Sequence, residues 1–160
     1  MSFQQDEKVR FLSQMDIIKN TVGHTPEDKR NWKPADSCMC SQEMMNHLTG
    51  SNHFFSAMFQ GKEPPQPPAE PPQLTFEQSL SAFEESSNML ADVIASVPDE
   101  ALGQDVPLPN GRTANMKFML TIPGNHMAYH WGQLAYMQTI WGDKEDHFFD
   151  PSFEIGSRYK

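Results

Sequence analysis

Residues 61–74, GKEPPQPPAEPPQL, carry six prolines and set how the rest of this 160-residue chain can be organised. Proline has no backbone N–H and a locked φ, so the stretch enters neither a helix interior nor a central strand. It reads as a stiff, extended connector between helical halves. Pro65 and Pro68 also fit the P-x-x-P spacing that aromatic grooves recognise. The connector reading is preferred, because the segment lies inside the domain and has no flanking basic cluster.

Both halves show helical periodicity. Phe11, Met15, Ile18 and Val22 recur at spacings of four, three and four, which aligns them on one helix face. This predicts a first helix over about 5–22, stopped by Gly23. A second helix, about 41–60, carries Met44, Leu48, Phe54, Phe55 and Met58, with Ser41 as its expected cap. Thr75 and Gln78 form the T-x-x-Q of a capping box and open a third helix, about 75–97, with Phe76, Leu80, Phe83, Leu90, Ile94 and Val97 inward. Asn110-Gly111 signals a turn, with Val106 and Leu108 in a short extended piece. A fourth helix is expected over about 113–141, kinked or restarted at Pro123-Gly124 and ended by Gly142. Phe148, Phe149 and Phe153 suggest a tail packed on the body. The pattern predicts an all-α four-helix bundle with long connections, one domain over residues 1–160.

Charge and composition narrow the function classes. Twelve Lys plus Arg against 21 Asp plus Glu give a net charge of -9, which disfavours nucleic acid and anionic membrane surfaces. Cys38 and Cys40 are too close in sequence for an unstrained disulfide and read as two reduced cysteines. The opening MSFQQDEKVR has no signal-like apolar run, and no segment approaches a membrane span. The expectation is a soluble, cytoplasmic protein.

The six histidines then need a use. His126 and His130 stand four apart, only about 40° apart around a helix axis, so both rings can reach one point. Their face continues through Ile122, Gln133, Met137 and Ile140, a mostly apolar and hence inward stripe. On the second helix His47 shares the side of Ser51, Phe54 and Met58, whereas His53 falls about 120° away. His24 and His147 lie in connections and read as solvated. Buried imidazoles need partners for their ring nitrogens. Two readings stay open here: core histidines bonded to backbone or carboxylate, and a three-histidine metal site with an open fourth position. Met127 stands where H-E-x-x-H would require Glu, which excludes the zincin class of metalloprotease.

The segment His126-Met127-Ala128-Tyr129-His130-Trp131-Gly132-Gln133-Leu134, followed by Trp141-Gly142, resembles the last-helix signature of the DinB/YfiT-like superfamily. Glu43-Met44-Met45-Asn46-His47-Leu48, after a loop with Trp32 and Pro34, resembles its first-histidine motif. With the helical plan, the resemblance covers nearly the whole chain. It implies a four-helix bundle, a divalent metal (zinc first, nickel next) on His47, His126 and His130, and a homodimer. It also implies a small-molecule substrate, with low-molecular-weight thiols such as bacillithiol or mycothiol as cosubstrates in thiol-dependent transferases and isomerases. Trp131 replaces the common Arg after the last histidine, so no relative's substrate is carried over.

Phe54, Tyr129, Trp131 and Gln133 are the candidate lining of a pocket beside the metal. The eleven methionines read as adaptable core filler. The functional expectation is a metal-binding bundle with thiol-dependent transferase chemistry. The alternative is a noncatalytic bundle whose histidines serve stability or partner recognition.

Overall fold

A computed structural model describes residues 2–66, 73–108, 111–145 and 147. Four long helices dominate: α1 (Phe3–Gly23), α2 (Ser41–Phe59), α3 (Phe76–Ser96) and, after a one-turn α4 (Met116–Met119), α5 (Ile122–Trp141). A hairpin of β1 (Asp105–Pro107) and β2 (Thr113–Asn115) precedes α4, with Val106 opposite Ala114. The all-α bundle expected from the periodicity is the observed architecture.

Around the bundle the long helices follow the order α1, α3, α2, α5, so α1 and α2 stand on a diagonal. A short turn cannot join diagonal helices, which is why the chain spends 24–40 on that link. The α2–α3 contact is the most extensive and the α2–α5 seam is the loosest of the four. Buried side chains of all four helices form one apolar cluster, including Phe11, Met15, Leu48, Phe83, Ile94 and Leu134. No helix among the described residues is long and apolar enough to cross a membrane.

The helix ends follow local chemistry. Thr75 Oγ1 accepts from Gln78 N–H at 3.1 Å and Gln78 Oε1 accepts from Thr75 N–H at 2.9 Å, completing the expected capping box. At the start of α2 the cap is Cys40 rather than Ser41. Glu43 Oε2 accepts from the Cys40 N–H at 3.1 Å, while Ser41 turns inward with its hydroxyl buried. Gly142 closes α5 at φ 91°, a left-handed conformation that glycine adopts without steric cost.

The expected fourth helix over 113–141 is corrected at its start. Thr113–Asn115 is committed to the hairpin, and the Asn115 side chain then caps α4 by accepting from Phe118 N–H at 2.8 Å. A helix continuing through Pro123 would drive the proline ring against the Met119 carbonyl and lose a hydrogen bond. The chain therefore stops at Met119 and restarts at Ile122, with Pro123 in the first turn, where its missing N–H costs nothing.

The inward stripe of α2 also differs from expectation. Met44 and Leu48 are buried, but beyond them the core-facing positions are Asn52, Ser56 and Phe59, with Phe54, Phe55 and Met58 only half-buried. Asn52 Nδ2 donates to Ser86 Oγ at 3.1 Å and Ser87 Oγ at 3.0 Å, and both hydroxyls donate to the Phe83 carbonyl. Satisfied in this way, small polar side chains let α2 and α3 approach closely without a desolvation penalty. The displaced phenylalanines of α2 turn toward the seam with α5.

Other expectations fall outside the described residues: the prolines of 67–72, the Asn110 half of the turn, and Phe148, Phe149 and Phe153. His147 is not solvated. Its ring stacks on His24 at 3.8 Å between centroids, and its Nε2 lies 2.7 Å from Asp143 Oδ2. On α5, Ile140 is 46% exposed, so the stripe read through it does not stay inward to the helix end.

Phe83 is fully buried where α3 meets its neighbours. Phe83→Ala is expected to destabilise the protein by about 3–5 kcal/mol. Urea unfolding should show this as a lower midpoint at unchanged slope.

Candidate metal centre

The loose α2–α5 seam is where the chain brings its imidazoles together. One helical turn separates His126 from His130, so α5 alone aims two rings at one point. His47 meets them from α2, 79 residues earlier in the chain. His126 Nε2 lies 3.1 Å from His47 Nε2 and 2.9 Å from His130 Nε2. Ligand atoms of all three lie within 4.8 Å of one another. The rings stand steeply to each other, at 67–77°, so they converge edge-on instead of stacking. His130 is buried, His126 half-buried and His47 exposed, so the cluster opens to solvent on the α2 side.

Protonation does not hold this arrangement together. Burial, reinforced by His130 and His47, pushes the His126 pKa down to about 4. Burial also lowers His47 and His130 below the ordinary imidazole value. Near neutral pH all three rings are therefore uncharged. His130 Nδ1 lies 2.7 Å from Gln133 Oε1, an atom that only accepts, so the ring proton sits on Nδ1 and the Nε2 lone pair is bare. The clustered Nε2 atoms are satisfied either by an Nε2–H of a neighbouring ring or by a shared cation. Tetrahedral zinc with nitrogen ligands places those nitrogens about 3.3 Å apart, close to the observed separations. The donor set fits a divalent cation, and Gln133 is placed as the outer partner that would orient His130 as a ligand.

A cavity of about 1160 Å³ opens from the cluster. Its wall includes Asn46, His47, Ser51, Phe54, Phe55, Ile122, Asn125 and His126. Phe54 meets Phe55 edge to face at 5.6 Å, and Phe55 reaches toward the His126 ring. His53 lies outside the cluster, as its helix angle requires, yet it also lines the cavity. Glu43 is on the wall too, one turn before His47. Its carboxylate accepts from Lys33 Nζ at 2.7 Å and from Cys40 N–H, and the Lys33 bond holds its pKa below the usual range. On the far side, Arg10 donates to Asn125 Oδ1 and to the Thr121 carbonyl, each at 3.0 Å, while Glu7 accepts from the same guanidinium. A residue of α1 thus fixes the first turn of α5, just ahead of His126.

Of the four residues read as pocket lining, Phe54 is on the cavity wall. Gln133 instead serves His130. Tyr129 is 64% exposed, with its ring edge-on to His130 at 5.1 Å and outside the cavity lining. Trp131 faces α1, where its Nε1 donates to Thr21 Oγ1 at 3.1 Å. Ser51 and Ile122, read on the histidine faces, and Phe55 are also on the wall, whereas sequence reasoning missed Asn46 and Asn125, although each directly precedes a clustered histidine. Burial raises the Cys40 thiol pKa, and Cys40 is not part of the histidine cluster.

A four-helix bundle with a three-histidine cluster at one seam is the class that fold and site define. The match to the DinB superfamily spans residues 14–134, and the chain belongs to that superfamily. The Bacillus subtilis (strain 168) protein YjoA is 22% identical over 142 residues, 87% of this chain and 91% of YjoA. The crystal structure of YjoA, a DinB-like protein, shares this fold with a TM-score of 0.70. That structural match covers 88% of this chain and 94% of YjoA at 18% identity.

Gln133 gives the site a direct spectroscopic test. In metal-free protein, ¹⁵N-resolved histidine spectra should show His130 as the Nδ1–H tautomer, and Gln133→Ala should shift it toward a tautomer mixture. An unchanged His130 signal would remove Gln133 from this role.

Proposed function

We propose that this protein is a divalent-metal-dependent enzyme acting on small molecules, with His47, His126 and His130 as ligands and a thiol as nucleophile. The supporting observation is the convergence of three Nε2 atoms at the edge of a large, mostly apolar cleft. Zinc is the favoured metal, with nickel next, because imidazole suits both. Bound there, a divalent metal supplies Lewis acidity that lowers the pKa of a thiol reaching it.

The chain's own residues account for the remaining work. Gln133 keeps the His130 Nε2 lone pair available, and Arg10 keeps the first turn of α5 in register. Phe54, Phe55 and Ile122 hold an apolar electrophile and displace water from it. The thiol proton leaves to solvent on the open His47 side, since the Glu43 carboxylate is already engaged. Sulfur then bonds to the electrophilic carbon and that carbon's leaving group departs. A low-molecular-weight thiol is the proposed cosubstrate, and transfer of a group to sulfur is the proposed reaction class.

Metal analysis of purified protein tests this reading. Wild type is expected to retain about one equivalent of divalent metal, and His47→Ala and His126→Ala to lose it. Circular dichroism after chelation should show the helices intact, because the cluster lies at an open seam and the core is independent of it. A folded wild-type protein with no affinity for zinc or nickel would overturn the proposal.

A further inference from the structure

We infer that the molecule occupying the α2–α5 cleft is uncharged and predominantly apolar, carrying its reactive end toward the histidines, and that anionic thiols are excluded from it. This rests on the small-molecule reading above and specifies its substrate class.

The wall carries the argument. Phe54, Phe55 and Ile122 form its apolar surface, and Asn46, Ser51 and Asn125 offer only neutral polar groups. Among the described lining residues there is no Lys or Arg. The one carboxylate among them, Glu43, is already matched by Lys33 outside the lining. The guanidinium behind the Asn125 wall, Arg10, is spent on Glu7, Asn125 and Thr121. Away from the histidine end, a ligand carboxylate or phosphate in the cleft would give up hydration and meet no Lys or Arg side chain in return. An apolar body gains on entry, at about 25 cal/mol per Å² removed from water. The roughly 1160 Å³ volume admits a drug-sized molecule without rearrangement. The phenylalanines also have a reason to be here, since Asn52 and Ser56 took the core positions they would otherwise fill.

The test uses the full chain, metal-loaded, with the neutral fluorophore N-phenyl-1-naphthylamine as probe. Displacement is measured with 1-hexanethiol and with 6-mercaptohexanoate, which differ by one terminal carboxylate. Wild type is expected to prefer the neutral thiol by roughly tenfold or more. Ser51→Trp should weaken probe uptake by narrowing the cleft beside Phe54. Ser51→Arg should narrow or reverse the preference by supplying the missing cation. Equal displacement by both thiols would overturn the inference, as would unchanged probe binding in a Ser51→Trp protein with wild-type circular dichroism. Probe uptake that falls as protein self-associates would also overturn it, placing a second copy in the cleft. The preference measured again on metal-free His126→Ala separates the two readings. If it persists while wild type binds no metal, the enzymatic proposal fails and the cleft chemistry stands. If metal binds and no preference is seen, the cleft chemistry alone fails.

Discussion

The close contact of α2 with α3 decides how the rest of the bundle is arranged. Asn52 bridging Ser86 and Ser87, with both hydroxyls bonded to the Phe83 carbonyl, is a polar join inside an apolar cluster. Such a join works only when every member is paired, and then it fixes the rotation of one helix against the other. With α2 turned so that Asn52 faces α3, the rings of Phe54, Phe55 and His47 face α5. The loose seam is therefore the counterpart of the tight one, and the site occupies the face of α2 that the core does not use.

Two further devices set the α5 half. Pro123 settles where the helix begins, and Arg10 pins that first turn from α1. The histidines thus inherit their placement from groups that never touch them. Their shared environment also keeps them neutral, since burial opposes the charged form of each ring. A donor set that stays unprotonated near neutral pH is ready for a cation at no cost in displaced protons.

Much of this was legible in residue spacing. The apolar stripes of α1 and α3, the Thr75–Gln78 box and the four-residue step from His126 to His130 depend on local geometry, and local geometry is written in sequence. Less legible was anything decided by competition between elements. The hairpin claimed Thr113–Asn115 from the fourth helix because pairing with Asp105–Pro107 depends on a second segment, which the helical spacing of 113–141 does not register. Phe54 and Phe55 looked like core by hydrophobicity, and lost those positions to residues whose hydrogen-bond partners lie on another helix. Tyr129 and Trp131 flank His130 in sequence, yet a helix sends neighbouring residues to different sides, so neither joins the cleft. The role of Gln133 follows from an i, i+3 contact that spacing permits without announcing.

His47 lies before the proline segment and His126 and His130 lie after it. Neither half of the chain contains the cluster, and the contact of His47 with His126 joins residues 79 apart. Bringing such distant residues together carries a loop-closure entropy that only the docked bundle repays. The centre therefore exists only in chains whose two halves have come together correctly. Occupancy of this site by a cation would double as a report on assembly: a half-folded chain offers at most a pair of histidines, and a cation that requires three ligands would discriminate between the finished protein and its precursors.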